Sequence, residues 1–165
     1  MKIIPPYIRQ RNTVSSAEVK IFELAKKTTV SSDWIMLHSL NVSKHQYKKW
    51  SELDFVLVSS LGILVFEVKG GRVTCNDGIW IFTDRYGISK RKSEGPFVQA
   101  KTGMEALKEM LAEEFGDPSI KKLLMGWGVV FPDISFKIKS PEAPLDVVCD
   151  QSRVSGKSEF LKYII

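Results

Sequence analysis

Two apolar runs, Leu53–Val58 and Ile63–Val68, lie within ELDFVLVSSLGILVFEVKGG at residues 52–71. They are rich in β-branched and aromatic residues and flank Ser59-Ser60-Leu61-Gly62. This pattern predicts a β-hairpin. The elements around it follow from the same periodicities. Val14, Ala17, Ile21, Leu24 and Ala25 form the apolar stripe of a helix over 15–28. Trp34 to Leu40 reads as a strand. After the hairpin, Arg72–Asn76, an Asp77-Gly78 turn and Ile79–Phe82 read as meander strands extending the sheet, the last paired with a strand across 84–87. Pro96 opens a second helix that runs to about Phe115. Its buried face is Ala100, Gly103, Met104, Leu107, Met110 and Leu111. Met125–Phe131 is a strand ended by Pro132, residues 132–144 a loop, and Leu145–Cys149 a last strand. The tail 158–165 reads as the start of a helix.

Charges interrupt the hairpin. Asp54 breaks the first run, and Glu67 and Lys69 fall in and just after the second. With the turn centred on Ser60-Leu61, Asp54 faces Glu67, and alternation puts Lys69 on the same face as Glu67. Opposed residues have Cβ atoms about 5 Å apart, where like charges repel. Two carboxylates so placed in apolar strands need a cation between them. A hard divalent ion with oxygen ligands suits the position. Centring the turn on Leu61-Gly62 instead sets Asp54 opposite Lys69 as a simple ion pair.

Other polar residues also admit two readings. Glu18 lies on or beside the helix stripe, yet Ser15-Ser16-Ala17-Glu18 also fits a capping box. His38 reads as a packed or hydrogen-bonded histidine, and Trp80 as core. The stretch 41–51 is basic with interleaved aromatics. Lys44, Lys48 and Lys49 suit a phosphate backbone, and Tyr47 and Trp50 suit a stacked base, or the loop is simply solvated. Lys90-Arg91-Lys92 is a second basic cluster or an ordinary charged turn. Gln99 and Lys101 sit in the first turn of the second helix.

Composition sets bounds. The chain of 165 residues suits one domain over 14–165, preceded by an extended basic leader over 1–13 that carries Pro5-Pro6, Arg9 and Arg11. A hydrophobic content of 44% supports a core and argues against disorder. The net charge of +5 favours polyanionic partners. Two cysteines make no disulfide framework, and no signal peptide or membrane-length run is present. A soluble cytoplasmic protein without a membrane partner is expected. Ser155-Gly156-Lys157-Ser158 lacks the first glycine of a phosphate loop, since Gln151 stands there. His38, His45, Cys75 and Cys149 have no zinc spacing, and no serine nucleophile elbow occurs.

Asp54, a tight turn and Glu67-x-Lys69 resemble the core of the PD-(D/E)xK nuclease superfamily. A longer series is more specific: Glu18, Trp34–Leu40, Glu52-Leu53-Asp54-Phe55, Gly62–Gly71, Gly78-Ile79-Trp80 and Pro96-Phe97-Val98-Gln99-Ala100. In this order the motifs resemble the nuclease-related domain (NERD) family, most strongly over 14–131. The resemblance implies an α/β fold with an αβββαβ core and a central mixed sheet flanked by helices, the order the periodicities also give. It implies a catalytic set of Glu18, Asp54, Glu67, Lys69 and Gln99, with Asp54, Glu67 and Glu18 binding Mg²⁺ or Mn²⁺. The expected activity is metal-dependent hydrolysis of DNA phosphodiesters, with Lys44, Tyr47, Lys48, Lys49, Trp50 and Lys101 on the nucleic acid. A helicase or other domain is an expected kind of partner. The alternative is a non-catalytic nucleic-acid-binding or interaction module that keeps the fold.

Overall fold

The computed structural model describes residues 1–8, 15–28, 33–43 and 51–154. The chain runs β1 (Lys2–Ile4), α1 (Ser16–Lys27), β2 (Ile35–Val42), β3 (Ser51–Ser59), β4 (Gly62–Val68), β5 (Arg72–Asn76), β6 (Ile79–Thr83), β7 (Ser89–Lys92), α2 (Pro96–Phe115), β8 (Met125–Phe131), β9 (Val148–Asp150) and α3 (Gln151–Val154). Six strands form a mixed sheet in the order β1-β2-β3-β4-β8-β9. The hairpins β2–β3 and β3–β4 are antiparallel, while β1, β8 and β9 join in parallel. The helix–three strands–helix–strand core is therefore present. It is enlarged by β1 at one edge, β9 at the other, and β5–β7 between β4 and α2.

Helices cover both faces of the large sheet. On one face, Ala17, Ile21, Phe22 and Ala25 of α1 pack with Met36, Phe55, Leu57, Phe66, Val68 and Val130. On the other, Ala106 and Leu107 of α2 pack with Val42, Leu53, Val56 and Val65. At a moderate ~25 cal/mol per Å², removal of these side chains from water is the main drive for both contacts. α2 starts with Pro96 in the first turn and stops at Gly116, whose φ of 60° suits a left-handed helix end. His38 is buried between Phe22 and Phe55 and hydrogen-bonds the Pro5 carbonyl at 3.0 Å through Nε2. It is a packed core histidine. Trp80 is fully buried.

Three expectations need correction. β5–β7 do not extend the main sheet; they form a separate three-stranded sheet. Its inner residues Val73, Trp80 and Phe82 pack with Phe97, Phe131 and Phe136 over the start of α2. The later strand that β6 meets across 84–87 is Ser89–Lys92, with Asp84 making the turn, its Oδ1 accepting the N–H groups of Tyr86 and Ile88. Lys90-Arg91-Lys92 is thus strand, not turn. Finally, Leu145–Val147 form a turn of 3₁₀ helix, and only Val148–Asp150 pair with β8. The tail 158–165 lies outside the described residues. No described helix is long and apolar enough to cross a membrane.

Candidate active site

The β3–β4 ladder pairs Phe55 with Phe66, Val56 with Val65, Leu57 with Leu64, Val58 with Ile63 and Ser59 with Gly62. The turn is therefore centred on Ser60-Leu61, and the register opposing Asp54 to Lys69 does not occur. The ladder stops one step short of Asp54 and Glu67. There the Asp54 side chain replaces the backbone, with its Oδ2 accepting the Val68 N–H at 2.7 Å. The β2 side is interrupted at the same level. His38 pairs with Phe55 and Leu40 with Leu53, but Ser39 does not pair with Asp54. Ser39 has φ 53°, an uncommon backbone for a non-glycine. Leu37 and Leu40 face the same cluster, as do Leu53 and Val56, although each pair is three residues apart. Both strands thus swap faces where Asp54 lies.

Glu67 is only 3% exposed, and its Oε1 accepts a short charged hydrogen bond from Lys69 Nζ. The Lys69 backbone N–H donates to the Val130 carbonyl at 2.9 Å, so β4 remains tied to β8 beyond its last strand residue. The Lys69 ammonium also lies 5.8 Å from the centre of the Phe82 ring. Burial, then the charges of Glu67 and Glu18, push the Asp54 carboxyl well above its usual range. Burial raises Glu67 too, against the opposing pull of Lys69. Burial works against the Lys69 charge, but Glu67, Asp54 and Glu18 outweigh it and hold that ammonium above its ordinary pKa. The three groups form one charge cluster.

α1 delivers Glu18. The capping box is present, with Ser15 Oγ accepting the Glu18 N–H and Glu18 Oε1 accepting the Ser15 N–H, both at 3.1 Å. The same carboxylate faces the cavity and acts electrostatically on Asp54 and Glu67. Cap and site wall are therefore one residue in two roles. Gly70 lets α1 come this close, since a Cβ there would lie 2.6 Å from the Ala17 Cβ. A strut fixes the approach: Asp133 accepts the Gly71 N–H at 3.0 Å and pairs with Lys20 of α1 at 3.3 Å.

These elements enclose a cavity of about 410 Å³. Glu18, Asp54, Glu67, Lys69 and Gln99 all line it. Gln99 comes from the first turn of α2. Ser51 and Glu52 line its β3 side. The opposite wall is Phe82, Lys90 and Lys92, none of which the sequence pattern singled out as site residues. Their only signal was the spacing of Lys90 and Lys92, two apart, which puts both on one face of a strand. Lys101 is exposed on α2 and does not line the cavity. Lys44, Tyr47, Lys48, Lys49 and Trp50 lie outside the described residues, as do Arg9 and Arg11. Among the described residues no three His, Cys, Asp or Glu side chains are grouped to enclose a metal ion by themselves.

A central mixed sheet with an acid on one strand, Glu67-x-Lys69 on the next and helices on both faces belongs to the PD-(D/E)xK nuclease superfamily. Residues 14–127 match the family model described as nuclease-related domain, which is more than half of the chain. The chain belongs to that family. No curated protein and no solved structure matches it.

Proposed function

We propose that this protein is a metal-dependent nuclease that hydrolyses phosphodiester bonds of DNA. The observation that carries the reading is the convergence of Glu18, Asp54, Glu67, Lys69 and Gln99, from four separate elements, on one cavity. Glu67 is buried and Asp54 half-buried, and both carboxyls have raised pKa values, Asp54 in part through the charge of Glu67. Such a pair is a poor structural choice and a good oxygen donor set for Mg²⁺ or Mn²⁺. Two or three carboxylates suffice, because Mg²⁺ keeps several water or phosphate ligands. The donor chemistry therefore fits, with Asp54 and Glu67 as the inner ligands and Glu18 at their side. When bound, the ion supplies Lewis-acid polarisation of the phosphate and lowers the pKa of a coordinated water.

The chain's own residues do the rest. Asp54 and Glu67 fix the position of positive charge at the cavity floor. Lys69, held charged by its acidic neighbours, donates to the attacking water or a phosphate oxygen and offsets negative charge that grows in the transition state. An ammonium whose pKa is raised is a donor before it is a base, so orientation and charge are its part. Gln99 hydrogen-bonds the water or a non-bridging oxygen. Lys44, Lys48 and Lys49, with Tyr47 and Trp50, grip the flanking strand, and Lys101 adds long-range attraction.

The test incubates purified protein with linear and circular DNA in Mg²⁺, Mn²⁺ or EDTA, beside Glu67→Ala and Lys69→Ala. Metal-dependent cutting that both substitutions abolish, in chains that remain folded, is the expected result. A folded wild type that binds DNA but cuts neither form in either metal would replace this reading with the non-catalytic binding module.

A further inference from the structure

We infer that the small β5–β7 sheet builds a nucleotide subsite beside the acids, where Phe82 stacks an unpaired base and Lys90 and Lys92 hold the backbone of single-stranded DNA. The inference rests on the nuclease reading and narrows its substrate.

Phe82 and Lys90 are directly opposed across β6–β7, and Lys92 follows on the same face. All three line the cavity that holds the acids. Lys90 and Lys92 are exposed and make no salt bridge among the described residues. Lys92 reaches the acids only through its long-range effect on Glu67. Two lysines about 7 Å apart along a strand, with no acid holding either, suit successive backbone phosphates. Phe82 is half-buried, with the Lys69 ammonium 5.8 Å from its ring centre. An aromatic ring set among lysines is the pattern of single-strand grooves, where any base stacks and the backbone follows the cations. A base inside a duplex already has both faces covered, so Phe82 accepts only one that has left the stack. The wall thus selects single strands and frayed ends.

Binding is measured by fluorescence anisotropy in Mg²⁺ with the full chain carrying Glu67→Gln, which prevents cutting. The probes are a labelled single-stranded oligodeoxynucleotide and its duplex. The single strand is expected to bind at least about tenfold more tightly, given stacking free energies per base. Adding Lys90→Ala with Lys92→Ala should flatten the log–log salt slope by about 1.4, at about 0.7 per phosphate contact. Adding Phe82→Leu keeps apolar volume against the core but removes the ring. It should weaken single-strand binding at least about fivefold and leave duplex binding unchanged, and Phe82→Trp should retain it. Equal affinity for both probes, or an unchanged slope and affinity in these variants, overturns the subsite. Cutting by the Glu67 wild type is assayed in parallel. Cutting without these binding effects sinks the subsite alone, and the binding effects without cutting sink the nuclease reading alone.

Discussion

The Asp54 carboxylate accepts the backbone N–H of Val68, the residue between Glu67 and Lys69, at 2.7 Å. One oxygen of the first acid thereby fixes the backbone that carries the second acid and the lysine. The bond stands where both ladders of β3 give way, opposite the positive φ of Ser39 on one side and past the Phe55–Phe66 pair on the other. A strand interior leaves no room for a carboxylate cluster. This local break in pairing makes that room, and the bond from Val68 closes the gap it leaves.

Asp54→Asn follows directly. The amide oxygen still accepts the Val68 N–H, while the charge opposed to Glu67 is gone. Metal-free stability at neutral pH should rise, because a charge disfavoured by burial and by the neighbouring Glu67 is removed. Metal-dependent cutting should fall at least about 100-fold. Urea unfolding in EDTA and a cleavage assay check the two halves. A variant less stable than wild type would show that Asp54 and Glu67 do not strain the metal-free fold.

The raised carboxyls of Asp54 and Glu67 also set a pH dependence. Both groups hold protons more tightly in the folded chain than in the unfolded one. Their contribution is most favourable below about pH 4, the ordinary carboxyl range, and is lost as pH rises through the raised folded values. Asp150 acts in the opposite direction, because hydrogen bonds from Ser152 and Phe136 overcome its partial burial and lower its pKa. The observable is therefore the difference between wild type and the Asp54→Asn/Glu67→Gln chain. In EDTA this difference should grow steadily from pH 4 toward neutrality, with the variant the more stable. Saturating Mg²⁺ should shrink it, since a cation replaces the protons. Parallel curves at all pH values would contradict the assignment.

Lys69→Met removes the ammonium that bonds buried Glu67 among the described residues. Breaking a buried pair from one side costs about 3 kcal/mol at neutral pH, and less in acid where Glu67 takes up a proton. Cutting should fall at least about 100-fold, the scale of one lost transition-state donor. A second change, Glu67→Gln in the same chain, should recover most of the stability and none of the cutting. Denaturant midpoints at two pH values, with the cleavage assay, separate these effects.

Much of this site was legible because it is written in local rules. The sequence leaves two turn centres, and once the turn falls on Ser60-Leu61 the level of Asp54 and Glu67 follows from arithmetic. The Ser15–Glu18 cap and the Pro96 start of α2 are equally local. The β5–β7 sheet was harder to place. Its hairpin is marked by Asp77-Gly78, but nothing local says whether it joins the main sheet or folds over α2. That choice is made by distant aromatics, with Trp80 on Phe97 and Phe97 in turn against Phe131 and Phe136. β7 is invisible to apolar periodicity because Ser-Lys-Arg-Lys is exposed along its length. For that reason the pattern shows Lys90 and Lys92 only as a basic cluster or a charged turn, not as a wall of the cavity. The face swap at Ser39 and Asp54 also escapes a strict alternation rule.

Gly70 tests whether the placement of α1 matters to the chemistry. Its φ lies outside the left-handed region, so the constraint is space and not backbone conformation. A Cβ at Gly70 would meet the Ala17 Cβ at 2.6 Å and Asp133 Oδ2 at 3.2 Å. Gly70→Ala must therefore push α1 outward, at about 1–3 kcal/mol of stability, as for other overpacked contacts. Ala17 adjoins Glu18, so that carboxylate moves with it. A displacement near 1 Å is worth about 100-fold in rate when the group positions a reacting centre. Ala17→Gly in the same chain reopens the space. It should restore cutting to within a few-fold of wild type even though glycine in a helix costs about 1 kcal/mol. Recovery of activity without recovery of stability would mark Glu18 as a group whose position the reaction needs. If Gly70→Ala alone cuts like wild type, Glu18 serves α1 as a cap and nothing more.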